Sequence, residues 1–351
     1  MSVVTLLGVA LPSVAARVLA GLSGLSLVAG AGVLIATPLL LKAPVEPQGE
    51  VRSTGPGTVL DISTGRPVSG TFVQVSTTTA HPGVRSATVA SYDQTAVSSF
   101  DTASGVHRQL TTSTLTYAFD RSTGVGRPGQ QGDTLGTTAH LVKMPFNTPK
   151  RDAVIWDPTA HRAVPLRYLG QRTRDGLSVL VFSRDASPTD LGVLPLLPRI
   201  PGSWVGHPEL ATVPVHEWYE STATRLEVEP VTGSLVGGSS SPHLWLQTTG
   251  ALAGLRVDLL KVAGATPDRT SLERLTAKAK HARGQVQLLR RAPWVLLGLA
   301  VLLALLPVSA AFGAGRSRRA ESPEDAGIPH QRGVEEDRDP EASRSPSRVN
   351  L

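Results

Sequence analysis

Two uncharged apolar runs stand near the ends of this chain, Val18–Leu41 and Ala292–Ala314, the second closed by Arg316, Arg318 and Arg319. A helix rising about 1.5 Å per residue needs roughly 20 residues to cross about 30 Å of hydrocarbon, and both runs exceed that. Backbone groups in lipid must be paired within their own segment, so each run is expected to be a helix. The layout this predicts is an N-terminal extension (1–17), a first span (18–41), a β domain on one side of the membrane (42–269), an amphipathic helix (270–291), a second span (292–314) and a disordered tail on the other side (315–351). The first run is longer than the apolar core of a signal peptide, which favours a retained anchor. Its small residues Ala20, Gly21, Gly24, Gly30 and Gly32 suit close helix–helix approach, with the second span as the natural partner.

The net charge of +6 would fit a nucleic-acid partner, but the basic residues are scattered or flank the apolar runs. No basic patch interleaves with aromatics, so nucleic acid is excluded as a partner. No cysteine is present. That removes thiolate nucleophiles, Cys-ligated zinc and iron–sulfur chemistry. Basic residues on the two sides of each span do not decide orientation: Arg17 and Lys42 balance at the first, and the cluster from Lys278 to Arg291 offsets the arginines after the second.

Between the runs the chain is rich in Ser, Thr and Val. Thr71–Ser76, Leu177–Phe182 and Arg225–Glu229 alternate apolar and polar, the period of half-buried strands. In the last, Leu226 and Val228 are expected to face a core and Arg225, Glu227 and Glu229 to face water. Turns are announced at Asp120–Gly124, Asp157–Thr159 and Glu229–Gly233. No amphipathic helix is expected between Gly55 and Gly264. The fold class is therefore mainly β, an antiparallel barrel-like or sandwich domain between two transmembrane helices. Asp185–Gly202 holds Pro188, Pro195, Pro198 and Pro201 and is not expected to form a central strand; it reads as an ordered loop packed on the domain, with a lid or a segment touching lipid as the other reading. Thr270 and Glu273 have the spacing of a capping box, and Leu272, Leu275, Ala279, Ala282, Val286 and Leu289 form a one-sided stripe.

The sequence offers no reaction. His216-Glu217 lacks the second histidine of a zinc-protease helix, and no nucleophile elbow, phosphate loop or dinucleotide fingerprint occurs. His140 and His161 read as surface or structural residues. Asp337-Arg338-Asp339 and Glu335-Glu336 fall in the tail and read as a solvated acidic run. Glu217 and Glu220 are the carboxylate pair a glycosidase would need, though pairs of this kind arise by chance in a β protein of this size. Trp204, Trp218 and Trp245 fit core packing, with sugar stacking or interfacial anchoring as the other uses. Catalytic, cofactor-binding and metal residues are accordingly none, and no cofactor is expected.

Several strings, in order, resemble a family of actinobacterial two-span membrane proteins of unknown function, also labelled the porin PorA family. They are Lys143-Met-Pro-Phe-Asn-Thr148 leading to Val154-Ile-Trp-Asp-Pro158, Tyr168-Leu-Gly170 followed by Gly176-Leu-Ser-Val-Leu-Val-Phe182, and Leu226-Glu-Val-Glu-Pro-Val-Thr-Gly233. With the two apolar runs, the resemblance covers about residues 18–314. It implies a domain outside the cytoplasmic membrane, both termini inside, and an accessory, non-enzymatic role in maturation of cell-envelope lipoglycans. The expected partners are the membrane, a lipid or lipoglycan intermediate, and an integral-membrane envelope enzyme. A scaffold for such an enzyme and an envelope hydrolase are the alternative readings. The porin label sits poorly with strands dense in Ser, Thr and charge, because a membrane barrel carries an apolar outer band.

Overall fold

The computed structural model describes residues 22–29, 31, 33, 41–43, 49–82, 86–141 and 143–317. Most of the first apolar run and the acidic tail lie outside these residues, so the first span and the tail are not described. Close contacts divide the chain into two units, Met1–Gly24 with Ala300–Leu351, and Leu25–Leu299.

The larger unit is built on one antiparallel sheet curved as a half-barrel. Its strands are β1 (Gly49–Asp61), β2 (Arg66–Ala80), β3 (Val89–Thr102), β4 (His107–Asp120), β5 (Ala153–Asp157), β6 (Arg162–Arg174), β7 (Leu177–Gly192), β8 (Arg199–Ile200), β9 (Val213–Glu229), β10 (Ser234–Thr248), β11 (Arg256–Val262) and β12 (Thr266–Pro267). The order across the sheet is β4-β3-β2-β1-β11-β10-β9-β7-β6-β5, with β12 on β1 and β8 on β9. Consecutive strands pair as hairpins from β1 to β4 and again from β5 to β7, the arrangement that short polar turns favour.

The expected turns form. Asp120 accepts hydrogen bonds from the N–H groups of Ser122 and Thr123, at 3.0 and 2.9 Å. Asp157 does the same for Thr159 and Ala160, at 2.9 and 3.1 Å. Gly233 takes a φ of 73°, and a side chain there would strike the Met144 carbonyl oxygen. That close approach brings two of the sequence strings together, since Met144 N–H donates to Gly233 O and Thr148 N–H to Pro230 O, each at 2.8 Å. The connection 121–152 also covers the sheet's outermost strands. Single bridges run from Phe119 to Gly126, from Val125 to His140, and from His140 to Ile155. Backbone groups that β4 and β5 would otherwise leave open are thereby paired.

Three expectations need correction. The proline-rich stretch does enter the sheet, because β7 continues to Gly192. It pairs there with β9 alone, through register shifts at Arg184/Ala186, Ala186/Thr189 and Asp190/Gly192. Pro188 falls in one of those shifts, where a missing N–H breaks no regular ladder. The helix cap is Asp268, whose carboxylate accepts from Ser271 N–H at 2.8 Å, so the Thr270/Glu273 box is not used. Finally, Glu227 and Glu229 do not face water: they are 4 % and 0 % exposed.

A single helix runs from Arg269 to Ser317. Pro293 lies inside it, so the amphipathic stripe and the second apolar run are continuous. Among the described residues it is the helix long and apolar enough to cross a membrane. Ala279 and Val286 of the stripe are buried, Ala279 against Leu177, Val179 and Val236. Further on, Trp294 is 68 % exposed and Leu305 61 %. In the smaller unit, the Ser23 hydroxyl donates to Ala300 O at 2.8 Å, both residues being buried.

Candidate functional site

Alternation along β9 and β10 sorts their side chains into two faces. Val215, Tyr219, Leu244 and Leu246 join the apolar clusters on one. On the other, His216, Trp218 and Glu220 of β9 stand opposite Gln247, Trp245 and His243 of β10. The indoles of Trp218 and Trp245 stack, with centroids 6.1 Å apart and planes inclined by 20°. Trp245 is fully buried, and Trp218 is partly exposed. The guanidinium of Arg256, on β11, lies 5.0 Å from the Trp245 ring centre. Gln247 Oε1 accepts from both Trp245 Nε1 at 3.3 Å and Arg256 Nε at 3.0 Å.

Histidine–carboxylate pairs frame this aromatic stack. His243 has its Nδ1 3.0 Å from Glu220 and its Nε2 2.8 Å from Asp258. His216 Nδ1 lies 2.9 Å from Asp190 Oδ2. Burial pushes the Asp190 carboxyl up, but His216 and the Gly192 N–H together hold it below its usual range. The signal for this face was present in the sequence as two spaced triplets, His216-x-Trp218-x-Glu220 and His243-x-Trp245-x-Gln247. Their cross-strand register, and the recruitment of Asp190, Arg256 and Asp258, depend on tertiary pairing that a local pattern does not carry.

At the other end of the same ladder, this face is occupied by arginines and the C-terminal helix. Glu227 is clamped by Arg172 and by Arg174, the latter at 2.5 Å. Glu229 accepts from Val231 N–H, Thr232 N–H and the Thr232 hydroxyl, and Arg283 of the helix stands 3.9 Å away. The run Gly237-Gly238-Ser239-Ser240-Ser241 keeps β10 slim here; a side chain at Gly237 would strike the Arg174 guanidinium.

The other sequence candidates do not converge. Glu217 and Glu220 point to opposite faces, three residues apart on an uninterrupted ladder, and so do not flank one bond. Glu217 lies on the apolar face opposite Leu246, and burial raises its carboxyl above the usual value. Trp204 packs against the cluster of Ile200, Val213 and Val215. His161 sits exposed in a turn with φ 47°. His140 lines a cleft of about 250 Å³ with Met144, Pro149 and Arg151, and burial depresses its imidazole. That volume is below the roughly 300 Å³ at which ligand pockets begin. Nearby, burial brings the Lys143 ammonium down to about 8, with its Nζ 3.9 Å from the Phe146 ring centre. Among the described residues no group of three His, Asp or Glu side chains is placed to hold a metal ion.

Comparison with curated proteins gave no match. The family model described as porin PorA matches residues 15–308. That span takes in the whole sheet, the aromatic–histidine face and most of the C-terminal helix, so the chain belongs to the porin PorA family.

Proposed function

We propose that this chain is a membrane-tethered, non-enzymatic factor of cell-envelope biogenesis, holding its β domain outside the cytoplasmic membrane to bind a lipoglycan intermediate. The observation that carries the reading is the C-terminal helix. Its first half packs on the sheet through Ala279 and Arg283, and the same helix continues into exposed apolar residues such as Trp294, Val295 and Leu305. Exposed apolar area on this scale needs a cover, and a bilayer supplies one. Residues 18–41 form the second tether, with Ser23 bonded to Ala300 in support. The extracytoplasmic placement and the lipoglycan link rest on the family resemblance.

The lipid part of such an intermediate stays in the bilayer on this reading. The apolar face of β7, β9 and β10 is occupied by Phe182, Tyr219, Val228 and their neighbours, and the cleft at His140 is too small for an acyl chain. The glycan part is what the domain meets. Exposed Leu288, Trp294 and Val295 also suit a transmembrane enzyme as neighbour, the scaffold form of the same role.

Topology tests it. A reporter fused after Asp120 is expected to be exported, and one fused after Glu321 to remain inside. An exported tail, or an internal Asp120 fusion, overturns the tethered extracytoplasmic reading.

A further inference from the structure

We propose that the face around Trp218 and Trp245 is a glycan-binding platform that takes a neutral hexopyranose, with Trp218 as the stacking surface. It rests on the envelope reading for the origin of its ligand; the chemistry of the face selects the class.

Three features of the face converge. The first is preorganisation. Trp245 is fully buried between Arg256, His243 and Trp218, so the stacked pair fixes the Trp218 ring before any ligand arrives. A preset aromatic plane loses little entropy on binding. The second is an open donor: Trp218 is partly exposed, and its indole N–H makes no hydrogen bond among the described residues. Buried or interfacial tryptophans ordinarily find a partner for this group.

The third is the ring of acceptors. Asp190, Glu220 and Asp258 each meet a histidine nitrogen, and a carboxylate has about four acceptor positions in all. Lone pairs therefore remain for hydroxyl donors. The cations of the group are Arg256, which gives Nε to Gln247 and lies over Trp245, and Lys261, which stands opposite His243 in the register. A phosphate or uronate would meet three carboxylates against those two cations, and like charges across an interface are costly. An aliphatic side chain would strip water from those carboxylates and return no hydrogen bonds. A pyranose answers both demands, because it offers an apolar C–H face to the indole and hydroxyls to the acceptors at its rim.

The test uses the full chain in detergent micelles. Neutral tetrasaccharides of mannose and of glucose are titrated against it, with a uronic-acid tetrasaccharide as the charged counterpart, and binding is followed by saturation-transfer NMR and calorimetry. Saturable binding of a neutral tetrasaccharide, little changed by salt, is expected. Trp218→Ala should weaken it about tenfold or more, whereas Trp218→Phe, which keeps an aromatic plane, should stay within about threefold. Should Trp218→Ala fail to fold, Glu220→Gln carries the test, since it leaves the stack intact and is expected to weaken binding several-fold. Preference for the uronate, no binding by either neutral sugar, or equal affinity in the folded variants overturns the proposal. An internal domain in the reporter experiment would remove the envelope reading and leave this binding result to be judged by itself.

Discussion

The two ends of the β9–β10 ladder carry carboxylates on the same face and treat them differently. At the Glu227–Glu229 end the cations are arginines, which keep their charge at every physiological pH, and the backbone of a turn adds donors. Both glutamates are almost fully buried there. At the Glu220–His243 end the partners are imidazoles, and the carboxylates retain access to water, with Asp258 48 % exposed at its side chain. The first end is a fastening between sheet and helix. The second leaves acceptors and an indole N–H available, as a surface that meets something else must.

The contrast makes its strongest claim at Glu229. Glu229→Ala removes the acceptor for two backbone N–H groups and a hydroxyl, and leaves Arg283 facing a buried gap. Breaking a buried pair from one side typically costs about 3–5 kcal/mol, and the lower end is expected here because Arg283 is 30 % exposed. Thermal and denaturant unfolding of the full chain in detergent measures it. A loss below about 1 kcal/mol would mean that the helix is not fastened through this carboxylate.

The matching change at the other end is His243→Gln. It removes the partner that Glu220 and Asp258 share, but both can turn to water. Exposed ion pairs are worth about 0.2–1 kcal/mol, so the loss in the same assay should fall in that range. A loss equal to that of Glu229→Ala would erase the distinction and make the histidine end a fastening too.

This distinction also marks what the sequence can disclose. Period-2 alternation in Arg225–Glu229 correctly put Leu226 and Val228 in the core, but assigned Glu227 and Glu229 to water. Local pattern sees only one layer. The arginines of β6 and the helix that cover those glutamates come from 53 and 54 residues away or more. Turns were legible because Asp120, Asp157 and Gly233 act within a few residues of themselves. The helical stripe was legible for the same reason, and Ala279 and Val286 are buried as its spacing requires. The histidine face was half visible, as triplets without their register, while the Trp218–Trp245 stack arises only when β9 and β10 pair.

Glu217 gives the smallest effect and the cleanest sign. It stands on the opposite, apolar face, opposite Leu246 and between Val215 and Tyr219 along its own strand, and among the described residues nothing donates to it. Burial raises its carboxyl above the ordinary 4.5, so the folded chain holds this proton to higher pH than the unfolded chain does. The contribution to stability is fully present below the unfolded value and is lost as pH rises through the folded one. At pH 7 the ionised side chain is therefore a liability, and Glu217→Gln removes it. The variant is expected to unfold at a slightly higher temperature than the parent at pH 7 and at the same temperature near pH 4. The arginine and histidine carboxylates should show no such gain when made neutral, because each would lose a partner. If Glu217→Gln instead lowers stability at pH 7, this carboxylate is also paired, and the division between fastened, available and merely buried acids along β9 fails at its third member.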